Sequence, residues 1–265
     1  MTDSAPIAIF DSGIGGLTVL AALQARLPRE RFVYLGDTAR LPYGTKSTET
    51  VTRYTLRAAQ VLSSFAPKLL VVACNTASAA ALPELGRSLA VPVLGVIEPG
   101  ARTAVRATRG RVGVIGTEST IASGAYPRAL RALRPSLEIL LQPCPLFVPL
   151  AEEGWFDHPV TREVARIYLE PLVSAGIDTL VLGCTHYPLL ATAIRAVVGE
   201  GVTLVDSAQA VAEDVAVQVR SPAGAGGGEG SARILVTDAA PRFLRLARFI
   251  LGDRVASLEA VDLPA

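Results

Sequence analysis

The chain has 265 residues, half of them hydrophobic, enough for one large domain or two ordinary ones with substantial cores. Its 25 basic and 24 acidic residues leave a net charge of +1, and no dense Lys/Arg block occurs, which argues against nucleic-acid binding. The start "MTDSAPIAIFDSG" lacks a basic, long-apolar secretion signal, no apolar run is long enough for a bilayer, and three cysteines make no extracellular disulfide framework, so a cytoplasmic protein with reduced thiols is expected.

The first predicted strand, 6–10, leads into "FDSGIGGLTVL" (10–20), an acidic-polar turn and a glycine-rich entry to a helix over 16–26. Gly13-x-Gly15 is half a dinucleotide fingerprint, but Thr18 holds the third glycine position and the match fails. The glycines otherwise serve a tight turn and close packing. Asp11 and Ser12 stand at the carboxyl end of this strand. Strand 32–36 runs into "GDTARLPYGTKS" (36–47), which reads equally as a functional loop or a connector, and a helix over 47–65 follows. Strand 69–73 stops at Cys74 in "VVACNTASA", where a helix begins. Strand 91–96 ends the first half.

Strand 111–116 opens the second half, and "VGVIGTESTIASGAY" echoes "IAIFDSGIGGLTVL". Asp11 lies 63 residues before Cys74, and Thr117 lies 67 before Cys184. A repeat of this length means paired domains rather than a solenoid. Strand 137–142 leads to Cys144 in "QPCPLF", outside any helix-start context and read as structural. Glu152 and Glu153 in "PLFVPLAEEGW" (145–155) read as solvated loop carboxylates. Strand 179–183 stops at Cys184 in "LGCTHYPLL", a second strand-end cysteine. Strands 202–206 and 233–237 flank "SPAGAGGGEGSA" (221–232), whose composition is that of a flexible loop. Alternating strands and helices predict an α/β fold of two similar lobes, each a mainly parallel sheet flanked by helices.

In open α/β sheets, ligands bind outside the carboxyl ends of the strands. Cys74 and Cys184 are both expected there, each entering a helix whose dipole favours a thiolate. Free cysteine is also a common small buried hydrophobe, so that reading stays open. A zinc set of Cys74, Cys144, Cys184 and His186 lacks CxxC or HxxxH spacing, and the other histidine is His158. A redox disulfide likewise has no CxxC. Lys46 and Lys68 lack a pyridoxal-phosphate context, and no P-loop occurs. The chain therefore offers thiols, hydroxyls, an amide, an imidazole and carboxylates, with no evident cofactor site.

"FDSGIGGLTVL", "GDTARLPYG", "VVACNTASA", "PLFVPLAEEGW" and "LGCTHYPLL", in that order from about residue 7 to 252, closely resemble bacterial glutamate racemases of the cofactor-independent aspartate/glutamate racemase superfamily. The GDT…PYG segment favours that family over aspartate and hydantoin racemases. The resemblance implies an active site in a cleft between lobe 1 (residues 1–97) and lobe 2 (98–207), with segment 208–265 returning to lobe 1. It implies that Cys74 takes the α-proton from D-glutamate and Cys184 from L-glutamate, assisted by Asp11, Glu152 and His186. It implies substrate binding by Asp11, Ser12, Tyr43, Gly44, Asn75, Thr76, Thr185 and His186, without cofactor or metal. It further implies glutamate as the small-molecule partner, a homodimer, and a role in peptidoglycan synthesis. Nothing carries over onto the glycine-rich stretch 224–230. Two other readings stay open: an aspartate racemase, and a two-lobed binding protein without chemistry.

Overall fold

The computed structural model describes residues 5–219, 230–239, 241–252 and 258–264. Its first half reads β1 (Ile7–Asp11), α1 (Leu17–Arg26), β2 (Arg31–Gly36), α2 (Thr48–Ser63), β3 (Leu69–Val72), α3 (Asn75–Ser88) and β4 (Val93–Gly95). The second reads α4 (Ile97–Ala107), β5 (Arg111–Gly116), α5 (Glu118–Ala122), α6 (Ala125–Leu133), β6 (Glu138–Pro143), α7 (Phe147–Glu152), α8 (Pro159–Ser174), β7 (Thr179–Gly183), α9 (Ala191–Val198) and β8 (Thr203–Val205). Then come α10 (Ala208–Gln218), β9 (Ser231–Val236), α11 (Pro241–Leu251) and β10 (Glu259–Ala260).

The strands form two wholly parallel sheets, ordered β10-β9-β2-β1-β3-β4 and β6-β5-β7-β8. Each sheet with its helices is a lobe, and the fold is α/β. Strand β9 pairs with β2, so the chain after residue 207 packs with the first sheet.

Side chains alternate across each sheet, and both faces are covered. Ile7 and Ile9 of β1 pack with α1, α10 and α11, while Ala8 and Phe10 pack with α2 and α3. In the second sheet Leu180 and Leu182 of β7 face α7, α8 and α9, and Val181 faces α4 and α6. Such strands must be apolar on both sides, which is why they read as continuous apolar runs. Phe10 is fully buried, and truncating a residue like it to Ala costs about 3–5 kcal/mol.

Two expectations need correction. Ser231 and Ala232, assigned to the flexible segment 221–232, open β9, because their backbone pairs with Arg31 and Phe32. Residues 220–229, including nearly all of the glycine-rich 224–230, lie outside the described residues. "PLFVPLAEEGW" is not a loop: Phe147–Glu152 form α7, whose Phe147, Val148 and Ala151 are buried.

Candidate active site

Parallel sheets gather strand ends, and here the ends of β1, β3, β5 and β7 converge on one cavity. Asp11 ends β1, fully buried. Its Oδ2 accepts the Gly13 N–H at 2.8 Å, folding the turn back, and Tyr34 donates its hydroxyl to the Gly13 carbonyl at 2.7 Å. From the other lobe, the Thr185 hydroxyl donates to Asp11 Oδ1 at 3.3 Å. Burial raises the Asp11 carboxyl, and the His186 charge works against it.

Gly15 in the same turn is where the lobes press together. A Cβ there would lie 2.3 Å from Thr185 Oγ1. Gly44 is a second such point, since its Cβ would lie 2.4 Å from the Thr117 Cβ. A side chain at either position would clash with the opposite lobe.

Cys74 follows β3 and caps α3, its Sγ accepting the Ala77 N–H at 3.5 Å. The expected helix-start geometry is therefore present, but the expected easy loss of the proton is not. Burial, then the neighbouring Asp11 charge, push the thiol up to about 12; the Ser12 hydroxyl and the Ala77 amide only partly offset them. A thiol out of water beside a carboxylate is held as thiol.

Cys184 departs from expectation differently. It enters no α-helix; a turn and a short 3₁₀ segment, Tyr187–Leu190 with Pro188 inside it, separate it from α9. Its neighbour is instead His186, whose Nδ1 lies 3.8 Å from the sulfur. On the other side of that ring, Nε2 lies 3.3 Å from Glu152 Oε1, and neither atom has a further partner. Burial pulls the His186 pKa down, but the Cys184 sulfur and the Glu152 carboxylate outweigh it and lift the value to about 10. Glu152 is thus turned inward by α7 rather than solvated, while its neighbour Glu153 faces out and pairs with Arg242.

The cavity is narrow, with about 20 Å³ of room for water-sized groups, and is lined by Ser12, Tyr43, Gly44, Cys74, Asn75, Thr76, Cys184, Thr185 and His186, with Leu41, Pro42, Thr117 and Val148. Every residue expected to bind substrate lines it except Asp11, which lies directly behind. Glu152 reaches it through His186. The Tyr43 hydroxyl is committed elsewhere, donating to Asp37 Oδ2 at 2.6 Å. No arginine or lysine lines the wall. Cys144 is buried behind Cys184, and all three cysteines are free. The zinc set does not assemble: among the described residues, no three or more His, Cys, Asp or Glu side chains converge as metal ligands.

Two residues at this site were not singled out as binders. Thr76, Thr117 and Thr120 form a closed triangle of hydroxyls, with oxygen separations of 3.0, 3.0 and 2.9 Å. Thr117 ends β5 just as Asp11 ends β1, so the strand-end rule applied to the repeat points to it. Thr120 follows from Thr117, which caps α5 through the Thr120 N–H.

The family model for Asp/Glu/Hydantoin racemase matches residues 18–215. The chain belongs to this racemase family. Members are isomerases, and an apposed pair of thiols is chemistry such a racemase can use. A glutamate racemase from Geobacter metallireducens is 53% identical, over 98% of this chain and 97% of the relative. The solved glutamate racemase from Bacillus anthracis has 39% identity and a TM-score of 0.94, covering 100% of both chains. A Francisella tularensis glutamate racemase solved in complex with D-glutamate has 34% identity and a TM-score of 0.90, covering 98% of each. The motifs from "GDTARLPYG" to "LGCTHYPLL" fall within the family-model match, and "FDSGIGGLTVL" begins before it at residue 10.

Proposed function

We propose that this protein is a glutamate racemase that interconverts L- and D-glutamate through two thiols. One observation carries the reading: Cys74 and Cys184, from the ends of strands in opposite lobes, line the same narrow cavity. A ligand-binding protein has no use for two such thiols. The listless alternative of buried hydrophobes fits poorly too, since each sulfur has polar neighbours at the cavity wall.

Inversion at the α-carbon takes a proton from one face and delivers one to the other. In the L-to-D direction Cys184 removes the α-proton and Cys74 delivers its own. In the reverse direction the roles exchange. Cys74, held as thiol by burial and Asp11, is poised as the donor. His186 stays protonated to about 10 beside Cys184, with Glu152 holding the ring from behind. The Ser12 hydroxyl and backbone N–H groups near Gly44 receive the carboxylates without a cation, joined by the hydroxyls of Thr76 and Thr185 as these turn from their partners Thr117 and Asp11 toward substrate. Such fixed dipoles also stabilise the charge that builds as the α-proton leaves. Neither metal nor cofactor enters these steps.

The wider reading is a cytoplasmic homodimer that supplies D-glutamate for peptidoglycan. Among the described residues no helix is long and apolar enough to cross a membrane. The deciding experiment follows the optical rotation of L-glutamate with purified protein, alongside L-aspartate. Loss of rotation with glutamate supports the reading. No loss would overturn it, and faster loss with aspartate would move the assignment to an aspartate racemase.

A further inference from the structure

We infer that Tyr126 is a positioning residue, whose hydroxyl reaches from the second lobe to hold the Asn75 amide at the substrate cavity. This rests on the proposed racemase reading, in which Asn75 binds glutamate. Tyr126 lies on α6 and is 1% exposed. Its hydroxyl accepts a hydrogen bond from Asn75 Nδ2 at 2.7 Å, joining residues 51 apart and from opposite lobes. Asn75 directly follows Cys74 and opens α3, so whatever orients its amide acts beside a reacting thiol.

The phenol is built into its place. Its ring lies under the end of β7, where a Cβ on Gly183 would come within 3.0 Å of Cε2. Ser207, just before α10 where the chain crosses back to the first sheet, stands next to the phenol. Ser207 Oγ is buried and has no closed hydrogen bond, which leaves it free to accept one from the Tyr126 O–H. A Cβ on Gly100 would lie 2.5 Å from Ser207 Oγ and 3.6 Å from the Tyr126 oxygen, so the two hydroxyls share one small space against α4. Asn75, Tyr126 and Ser207 thus form a polar line from the cavity, through the second lobe, to the crossover.

Position and partner decide the role. Tyr126 does not line the cavity between the thiols, so it is not a catalytic residue. An aromatic needed only for packing would keep its function as phenylalanine. Here the oxygen fixes which way the amide faces, and losing it leaves a buried N–H unpaired.

The test is kinetic. Tyr126→Phe keeps the ring and should raise KM for both L- and D-glutamate about tenfold, with kcat changed less than about twofold and circular dichroism unchanged. Because Tyr126 acts through Asn75, the Asn75→Ala/Tyr126→Phe double variant should be no worse than Asn75→Ala alone. Ser207→Ala should raise KM in the same direction by a smaller factor, and it carries the decision if Tyr126→Phe fails to fold. An unchanged KM in the folded variants, or additive losses in the double variant, would overturn the positioning role while leaving the racemase intact. A wild-type protein that does not racemise glutamate would bring down both readings.

Discussion

Thr185 Oγ1 meets Asp11 Oδ1 at 3.3 Å, although 174 residues separate them in the chain. That bond crosses from one lobe to the other and fixes a carboxylate close to Cys74. Asp11 is the second cause, after burial, of the raised Cys74 thiol. Asp11→Asn removes the charge but keeps the size, so the Cys74 thiol should titrate below its wild-type value. The difference in ultraviolet thiolate absorbance between Asp11→Asn proteins with and without Cys74 measures this. A titration identical to wild type would show that Asp11 does not act on the sulfur.

The thiols differ in what they should cost. Replacing Cys74 or Cys184 with Ala removes an acid/base group, and each change should lower turnover by about 10²–10⁴-fold while the protein stays folded. Cys144→Ala deletes a buried sulfur with no place in the cavity, so activity should persist with a stability loss of about 1 kcal/mol. Chiral chromatography of L-glutamate reactions with all three variants checks the ranking. Near-normal turnover by Cys74→Ala would refute the two-thiol mechanism.

Much of this arrangement was legible in sequence, for a physical reason. Strands buried on both faces must be apolar at every position, so β1, β3, β5 and β7 announce themselves, and parallel strands then place their carboxyl-end residues together. What failed to show depended on distant contacts. Glu152 looked like one of two solvated carboxylates, because only the turn of α7 against the core tells it from Glu153. At Cys74 the helix start is legible in sequence, but the burial and the Asp11 charge that outweigh its dipole are not. At Cys184, Pro188 sits in a 3₁₀ turn rather than an α-helix. Tyr126 is an ordinary core aromatic until the fold brings it to Asn75. Strand β10 has two residues, too few for any periodic signal.

His186 and Glu152 yield a pH prediction with a defined sign. His186 is lifted from 6.5 to about 10 in the folded protein. Its contribution to stability is therefore complete below pH 6.5 and lost as pH rises through about 10. The melting temperature should decline over that window, and less steeply in His186→Asn. Activity that relies on the protonated ring should fall along the same alkaline limb, and Glu152→Gln should move that limb to lower pH. For a reaction with an equilibrium constant of one, kcat/KM must be equal in the two directions at every pH, so either direction reports it. An alkaline limb unmoved by Glu152→Gln would rule out the Glu152–His186 coupling.

Isotope exchange separates two bases from one. If Cys74 and Cys184 act from opposite faces, the proton that one removes is not the proton that the other delivers. The delivering thiol has exchanged with solvent between turnovers, so its hydrogen is the solvent's. With unlabelled L-glutamate in D₂O and an early stop, newly formed D-glutamate should carry deuterium at the α-carbon almost completely. The remaining L-glutamate should stay largely unlabelled, because Cys184 holds the abstracted proton on the face it came from and can return it. A single base serving both faces would carry the substrate's own hydrogen into the product, or wash label into the recovered substrate. Mass spectrometry after chiral separation reads both pools directly. Substantial protium in the D-product would exclude independent roles for Cys74 and Cys184 even in an active racemase, because no exchange-competent second donor would then be supplying the opposite face.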